Sequence, residues 1–305
     1  MTDISAFHKD RALAYASLSF LRIDNEKLID NFCTHTIGKD TDIQVIGSQT
    51  RCFYRHLGWD SDYLDYPSYR IEFCLWDESI VKPIEAVKET LLALKEQLSS
   101  LHAQFYLFTA EIPSEDLVTI QALGEAGLNL IETRLAYYHD DIAKFSPLTR
   151  YNTRLATNDD IPNLHRVAME ARNSFDRLHA DPYFSNEIAD AYLGTFIENS
   201  VKGFTDIVLV PDDENLPGAF FAADLISAQQ SPLNIPTGEI VLTAAGESRR
   251  GWHFKLMSEI SLYFQKHGLQ MAYMKTQSTN RAVIRNCEKL GWKYGKCAHI
   301  FAAHG

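Results

Sequence analysis

Residues 248–251, Ser-Arg-Arg-Gly, are the part of this chain whose residue types can hold a polyanion. Two guanidiniums pair with phosphate oxygens through forked N–H donors, and a glycine lets backbone close on a ligand with no side chain in the way. The run follows an apolar stretch, residues 239–245. It precedes a periodic one in which Phe254, Leu256, Met257, Ile260 and Phe264 mark a helix with one apolar face. A strand that turns into a helix offers unsatisfied N–H groups and the positive end of the helix dipole, which is the chemistry of a pyrophosphate site. An Arg-Arg-Gly turn alone also starts many solvated helices, so the flanking elements carry the inference. Downstream, residues 271–274 read as the next strand, and Asn280 opens a region that ends at Gly291-Trp292.

The bulk properties bound what such a site can serve. A length of 305 residues allows two modest domains, and 46% hydrophobic content builds ordinary cores. The formal net charge of −11 disfavours bulk binding to nucleic acid or to an anionic membrane, so an anionic cofactor needs a local basic pocket. No apolar run approaches the roughly 18 residues of a membrane span, and no signal-peptide pattern opens the chain. Five cysteines (33, 52, 74, 287 and 297) are odd in number and lack Cys-x-x-Cys spacing. That argues against zinc and a disulfide framework, and for a reducing, cytoplasmic location. No histidine recurs at metal-ligand spacing with a carboxylate, so no metal is expected.

The elements that must position these residues fall into two α/β halves, 1–146 and 147–305, joined through a linker at 140–151. In the first half, helices are expected over 12–28, over 84–101 with Val87, Leu91, Leu94 and Leu98 on one face, and from an N-cap at Ser114 to Glu125. Strands are expected over 43–47, 69–75, 104–110 and 130–138, with a turn at 58–61. In the second half, Asp159 or Asp160 caps a helix that carries Pro162 in its first turn and runs to Phe175. Another helix covers 188–201, and strands at 206–210 and 219–227 flank a turn at 211–218.

With these elements in order, the second half resembles the Gcn5-related N-acetyltransferase (GNAT) superfamily. The phosphate loop of that superfamily reads Gln/Arg-x-x-Gly-x-Gly/Ala after a strand. Residues 248–253, Ser-Arg-Arg-Gly-Trp-His, stand at the matching place: Gly251 fits, and Ser248 and His253 replace the usual first and last residues. A later signature, Asn-x-x-Ala-x-x-x-Tyr-x-Lys-x-Gly-Phe, is met by Asn280, Lys289, Gly291 and Trp292, with Val283 at the alanine position and Cys287 at the tyrosine position.

The resemblance implies an α/β (α+β) fold, with a mixed central sheet flanked by helices in the second half and a partial copy of it in the first. It implies acetyl-CoA as co-substrate, its pantetheine arm along the backbone of Leu242, Thr243 and Ala244. Its phosphates would then meet Arg249, Arg250, Gly251, Trp252 and His253, with Asn280 nearby. Glu239 stands where the histone-acetyltransferase branch carries a general base, although a glutamate at a strand end is often merely solvated. Cys287 stands where a tyrosine protonates the departing thiolate. It also shares a helical face with Val283 and Leu290, where a thiol serves as a small core side chain.

A narrower resemblance lies outside that site. Residues 174–184, Ser-Phe-Asp-Arg-Leu-His-Ala-Asp-Pro-Tyr-Phe, then Tyr192 and residues 196–203, look like dTDP-fucosamine acetyltransferases. Residues 57–63, Leu-Gly-Trp-Asp-Ser-Asp-Tyr, and the block 110–134 are similar to them as well. Those enzymes acetylate the 4-amino group of a dTDP-linked deoxysugar, which implies Arg177 and His179 near a small-molecule amine acceptor. Two alternatives stand beside this: the same fold acting on another small or protein amine, and a non-catalytic acyl-CoA-binding protein. The first half either completes the acceptor pocket or pairs subunits into a homodimer.

Overall fold

The computed structural model of the chain describes residues 9–37, 44–77, 79–102, 105–213 and 216–305. Its first elements are α1 (Lys9–Tyr15), α2 (Asn25–Asn31), β1 (Gln44–Gly47), β2 (Thr50–His56), α3 (Gly58–Leu64) and β3 (Ser68–Trp76). Then come α4 (Pro83–Leu101), β4 (Leu107–Pro113), α5 (Leu117–Glu125), β5 (Asn129–His139), β6 (Thr153–Leu155), α6 (Ile161–Glu170) and α7 (Asn186–Asn199). The last are β7 (Ile207–Pro211), β8 (Ala219–Ile226), β9 (Thr237–Ala245), α8 (Trp252–Lys266), β10 (Met271–Gln277), α9 (Arg281–Lys289) and β11 (Lys293–His304). Of the sequence expectations, Ile43, Gln104 and part of the 211–218 turn lie outside the described residues.

The chain divides into two compact units, one of Met1–Arg134 with Lys296–Gly305 and one of Leu135–Gly295. This differs from a division at 146/147 for two physical reasons. The final strand belongs to the first unit, pairing antiparallel with β4 from Ala298↔Pro113 to His304↔Leu107. Residues 140–151, read as a linker, are fastened to the second unit. Gln265 Nε2 donates to the carbonyls of Ile142, Ala143 and Phe145 at 3.0, 2.8 and 3.0 Å. Glu259 accepts from the Tyr151 N–H at 2.7 Å and from Arg150 Nη2 at 2.9 Å.

In the first unit, β1 to β3 form an antiparallel meander, and α4 carries the chain across to β4, which runs parallel to β3. The expected face of α4 is buried: Val87, Leu91, Leu94 and Leu98 all pack into the core. The helix expected over 12–28 is broken instead. Leu18, Arg22 and Asp24 take positive φ, and the Asp24 carboxylate caps α2 by accepting from the Lys27 N–H. Residues 58–61 start a helix rather than a turn. The N-cap of α5 is Asp116, not Ser114: its carboxylate accepts from the Thr119 N–H at 3.1 Å.

In the second unit the strand order is β5-β10-β9-β8-β7-β6, antiparallel from β6 to β9 and parallel between β9 and β10. One face packs on α8 and α9, where Leu256, Met257 and Ile260 meet Phe221, Ala223 and Ile240. The other packs on α6 and α7, where Leu164, Val167 and Ile197 meet Phe220, Ala222 and Ala244. Close approach of α8 to β9 requires glycine at 238, because a Cβ there would lie 2.5 Å from the Phe264 ring. The helix after Pro162 stops at Glu170, short of Phe175.

The units share an order that the residues do not advertise. Each has an antiparallel meander, then strand–helix–strand with parallel pairing (β3-α4-β4 and β9-α8-β10), then a helix. They differ where the crossover helix begins. Residues 77–82 contain neither glycine nor arginine, and α4 opens on Lys82-Pro83; α8 opens on Arg250-Gly251. Among the described residues, no helix is long and apolar enough to cross a membrane.

Candidate functional site

Strand β9 makes the site by departing from regularity twice. Its pairing with β8 slips between Ala222↔Leu242 and Ala223↔Ile240, so Val241 is an extra residue, a β-bulge. The bulge changes which face each residue serves: Ile240 packs on the α8 side, whereas Leu242 and Ala244 pack on the α6 side. On the other edge, pairing with β10 runs from Thr237↔Met271 to Ile240↔Met274 and ends there. Both strands continue, to Ala245 and Gln277. Beyond the bulge, β9 therefore has backbone groups outside the β10 ladder, which an extended ligand can pair with as an added strand.

The turn after β9 meets that end of the strand. Gly246 N–H donates to the Gly218 carbonyl at 2.9 Å, residues 247–249 make one 3-10 turn, and Gly251 holds φ +85° as the N-cap of α8. That left-handed conformation favours glycine, and no side chain caps the helix. The N–H groups of its first turn are thus available to an anion. A cleft of about 850 Å³ lies here, lined by Thr243, Ala244, Gly246, Ser248, Arg250, Gly251, His253 and Asn280, and also by Arg166, Glu170 and Arg172 at the end of α6.

The residues singled out in the sequence divide in this geometry. Thr243, Ala244, Arg250, Gly251, His253 and Asn280 line the cleft together. Arg250 is free to reach a ligand, with its side chain 86% exposed and only a loose 4.0 Å approach to Glu247. Arg249 is not: it grips Asp213 with two N–H donors at 2.5 and 2.9 Å and lies outside the cleft lining. Its stem passes so close to Gly218 that a Cβ there would stand 2.7 Å from Arg249 Cγ. Trp252 stacks under Lys255, whose Nζ lies 4.8 Å from the ring centre, and it also lies outside the lining. Leu242 contributes its side chain to the α6-side core, which leaves its backbone as the part facing a ligand.

His253 is fixed from three sides. Asn286 Nδ2 donates to its Nδ1 at 3.0 Å, Thr243 Oγ1 lies 3.4 Å from its Nε2, and Phe221 meets it edge-on at 4.8 Å. Desolvation pushes its pKa down to about 4, so the ring is neutral at pH 7 with its proton on Nε2. Asn280 caps α9, its Oδ1 accepting from the Val283 N–H at 3.3 Å. Cys287 does not reach the cleft. It is fully buried, its Sγ is 3.8 Å from Met274 Sδ, and burial pushes the thiol up to about 12. That placement sets it in the core rather than beside a departing thiolate.

Glu239 sits below the bulge, paired in register with Asp224 on β8 and Tyr273 on β10. Alternation from Phe220 and Ala222 places these three on the face that packs on α6 and α7. Burial raises the Asp224 carboxyl above its ordinary value. The α6–α7 loop bounds the same face, anchored where Asn173 Nδ2 donates to Gln277 Oε1 at 2.7 Å. Within the loop, His179 is enclosed between Asp176 Oδ2 at 2.7 Å and Asp190 Oδ1 at 2.9 Å, its side chain 1% exposed. Arg177 hydrogen-bonds Tyr192. The Arg172 guanidinium beside Asp190 holds that carboxyl low, with His179 adding to the effect. Neither Arg177 nor His179 lines the cleft. Sequence reasoning missed Arg172 and Asp224. No motif marks Arg172, and only the β8–β9 register brings Asp224 to Glu239.

Among the described residues, no group of three or more His, Cys, Asp or Glu side chains gathers as a metal site. No protein-family model matches the chain, and no curated protein matches it in sequence. Solved structures do match in shape. A GCN5-related N-acetyltransferase from Sphaerobacter thermophilus is 10% identical, with 97% of this chain and 93% of that one covered at a TM-score of 0.57. A conserved protein of unknown function from Staphylococcus epidermidis is 13% identical, with 86% and 94% covered and a TM-score of 0.54. A tandem GNAT protein from the clavulanic acid biosynthesis pathway is 13% identical, with 99% and 96% covered and a TM-score of 0.50. The likeness is one of fold: the chain has the mixed α/β fold of the GNAT structures.

Proposed function

We propose that the chain is an acetyl-CoA-dependent N-acetyltransferase whose acceptor is a small primary amine. The observation that carries this is the end of β9–β10 pairing at Ile240↔Met274, with a bulge at Val241 and a glycine-capped helix start at the strand's far end. The residues fit the coenzyme. Gly251 has positive φ and nothing within 4 Å of where a Cβ would stand, the first turn of α8 is uncapped, and Arg250 is exposed beside it. Those groups would hold the phosphates, and the backbone of residues 242–245 would hold the pantetheine arm.

When bound, acetyl-CoA supplies a thioester carbonyl that an amine attacks directly, with no acyl-enzyme. The chain's own contributions are few. Backbone N–H groups at the bulge polarise that carbonyl, the neutral His253 fixes the base of the cleft, and Glu239 accepts the amine proton directly or through one water. Asp224 beside Glu239 adds negative potential that favours an ammonium before its proton is removed.

A nucleotide-linked amino sugar is the first acceptor to assay. The α6–α7 loop supports that reading with Arg172 and Arg177, although both already meet partners in Asp190 and Tyr192. The test is thiol release from acetyl-CoA across dTDP-amino sugars, amino acids, polyamines and peptide N-termini. Turnover with any of them, cut about 100-fold or more by Glu239→Gln at unchanged acetyl-CoA affinity, is the expected result. Coenzyme binding without turnover would leave a non-catalytic acyl-CoA-binding protein, and no binding would leave a scaffold.

A further inference from the structure

The second unit holds another cavity, of about 490 Å³, walled by the segment after β5, by Phe254 and Ser258 of α8, and by Lys289 and Leu290 at the end of α9. Its lining shares no residue with the coenzyme cleft. Three features of its wall point the same way. Phe145, Pro147, Phe254 and Leu290 make it apolar, and Leu148 stands at the wall with its side chain fully exposed. Lys144 and Lys289 are its charged residues, and no aspartate or glutamate joins them in a chain that carries 40 such residues against 29 Lys and Arg. Lys144 is paired with Asp141 at 2.6 Å, which leaves Lys289 as the cation open to a ligand.

The third feature is Ser258. The residue is 1% exposed, lines the cavity, and its buried Oγ has no hydrogen-bond partner. One turn further along, Ser261 bonds back to the Met257 carbonyl at 2.8 Å, so α8 can satisfy a serine of its own and does not do so at 258. A buried hydroxyl left without a partner is costly, and each one in a native protein calls for a partner such as a ligand, an ion or a water. His139 also lines the cavity. Its Nδ1 accepts from the Asp141 N–H at 3.3 Å and burial lowers its pKa, so the ring offers a donor at Nε2 and no charge. The wall is preorganised, because Gln265 and Glu259 clamp residues 142–151 to α8.

We propose that this cavity binds a small carboxylate with an aromatic or branched apolar body, the carboxylate paired with Lys289 and Ser258 and the body covering Leu148 and Leu290. A cavity of this size suits a compact organic acid, and the absence of a second free cation favours a monoanion over a phosphate.

The test is titration of the full chain with 3-phenylpropionate, read by methyl NMR of leucine-labelled protein, with 3-phenylpropanol as the uncharged control. Saturable shifts at Leu148 and Leu290 are expected, with affinity at least about tenfold weaker for the alcohol and for Lys289→Glu. Ser258→Ala weakens binding severalfold while leaving the free protein equally or more stable, because it removes an unpaired buried hydroxyl. Acetyl-CoA at saturation leaves the shifts in place. The proposal is overturned by no saturable binding into the millimolar range, by equal affinity in Lys289→Glu, or by displacement with acetyl-CoA. The last result would move the acid to the coenzyme cleft.

Discussion

Arg249 and Arg250 are neighbours in sequence and opposites in the structure. The first is spent on Asp213, 36 positions away, and braces the turn; the second stands in the cleft with nearly all of its side chain exposed. Arg250→Ala is therefore expected to weaken acetyl-CoA binding by about 1.5–3 kcal/mol, with the melting temperature unchanged. Calorimetric titration and a thermal melt check both halves of that statement. Arg249→Ala should do the reverse, lowering stability by about 1 kcal/mol through loss of a part-buried ion pair and moving affinity less. Cys287→Ala should cost on the order of 1 kcal/mol of stability and leave turnover at saturating substrate as it was, since the thiol meets Met274 and not the cleft. A fall in turnover beyond about tenfold would return Cys287 to the chemistry. At this scale the sequence carried residue types faithfully and side-chain direction poorly. Arg-Arg-Gly pointed to an anion site without saying which arginine turns to the cleft and which to Asp213. His179 read as an acceptor contact because nothing in its neighbourhood declares that Asp176 and Asp190 enclose it.

Helix α8 ties the site together, beginning at Gly251, carrying His253 into the cleft and holding residues 142–151 through Glu259 and Gln265. Its N-cap needs φ +85°, so Gly251→Ala should destabilise by about 1 kcal/mol and also weaken coenzyme binding. Denaturant midpoints with and without acetyl-CoA separate the two effects. His253 gives this helix a pH dependence. Its folded pKa, about 4, lies below the ordinary 6.5, so the native state binds fewer protons between those values. Its contribution is fully present above about pH 6.5 and is lost as pH falls towards 4, a drop on the order of 3 kcal/mol. Urea midpoints between pH 7 and pH 4 should fall in the natural protein and fall less in His253→Gln; parallel curves would remove His253 as the cause. Elements with strong periodicity were legible, as α4 and α8 attest. The bulge at Val241 was not, because one extra residue in an apolar strand leaves no trace in the pattern. The break between α1 and α2 rests on three residues at positive φ that are not glycine, which composition cannot announce.

At the scale of the molecule, two units with the same order of elements differ in the residues that open the crossover helix. The chain's net charge of −11 makes that difference decisive, because a polyanionic ligand will settle only where cations and free N–H groups are concentrated. The mixed α/β character was legible from the alternation of helices and strands. The placement of the last strand in the first unit was not, since strand exchange follows from pairing partners far apart in sequence. The account therefore predicts one coenzyme site per chain, in the second unit. The measurement that tests this most directly is calorimetric titration of the full chain with acetyl-CoA, repeated on Arg250→Ala. One site per chain in the natural protein, weakened at least about tenfold by the substitution, is the predicted result. Two equal sites, no binding, or one site indifferent to Arg250 would contradict it.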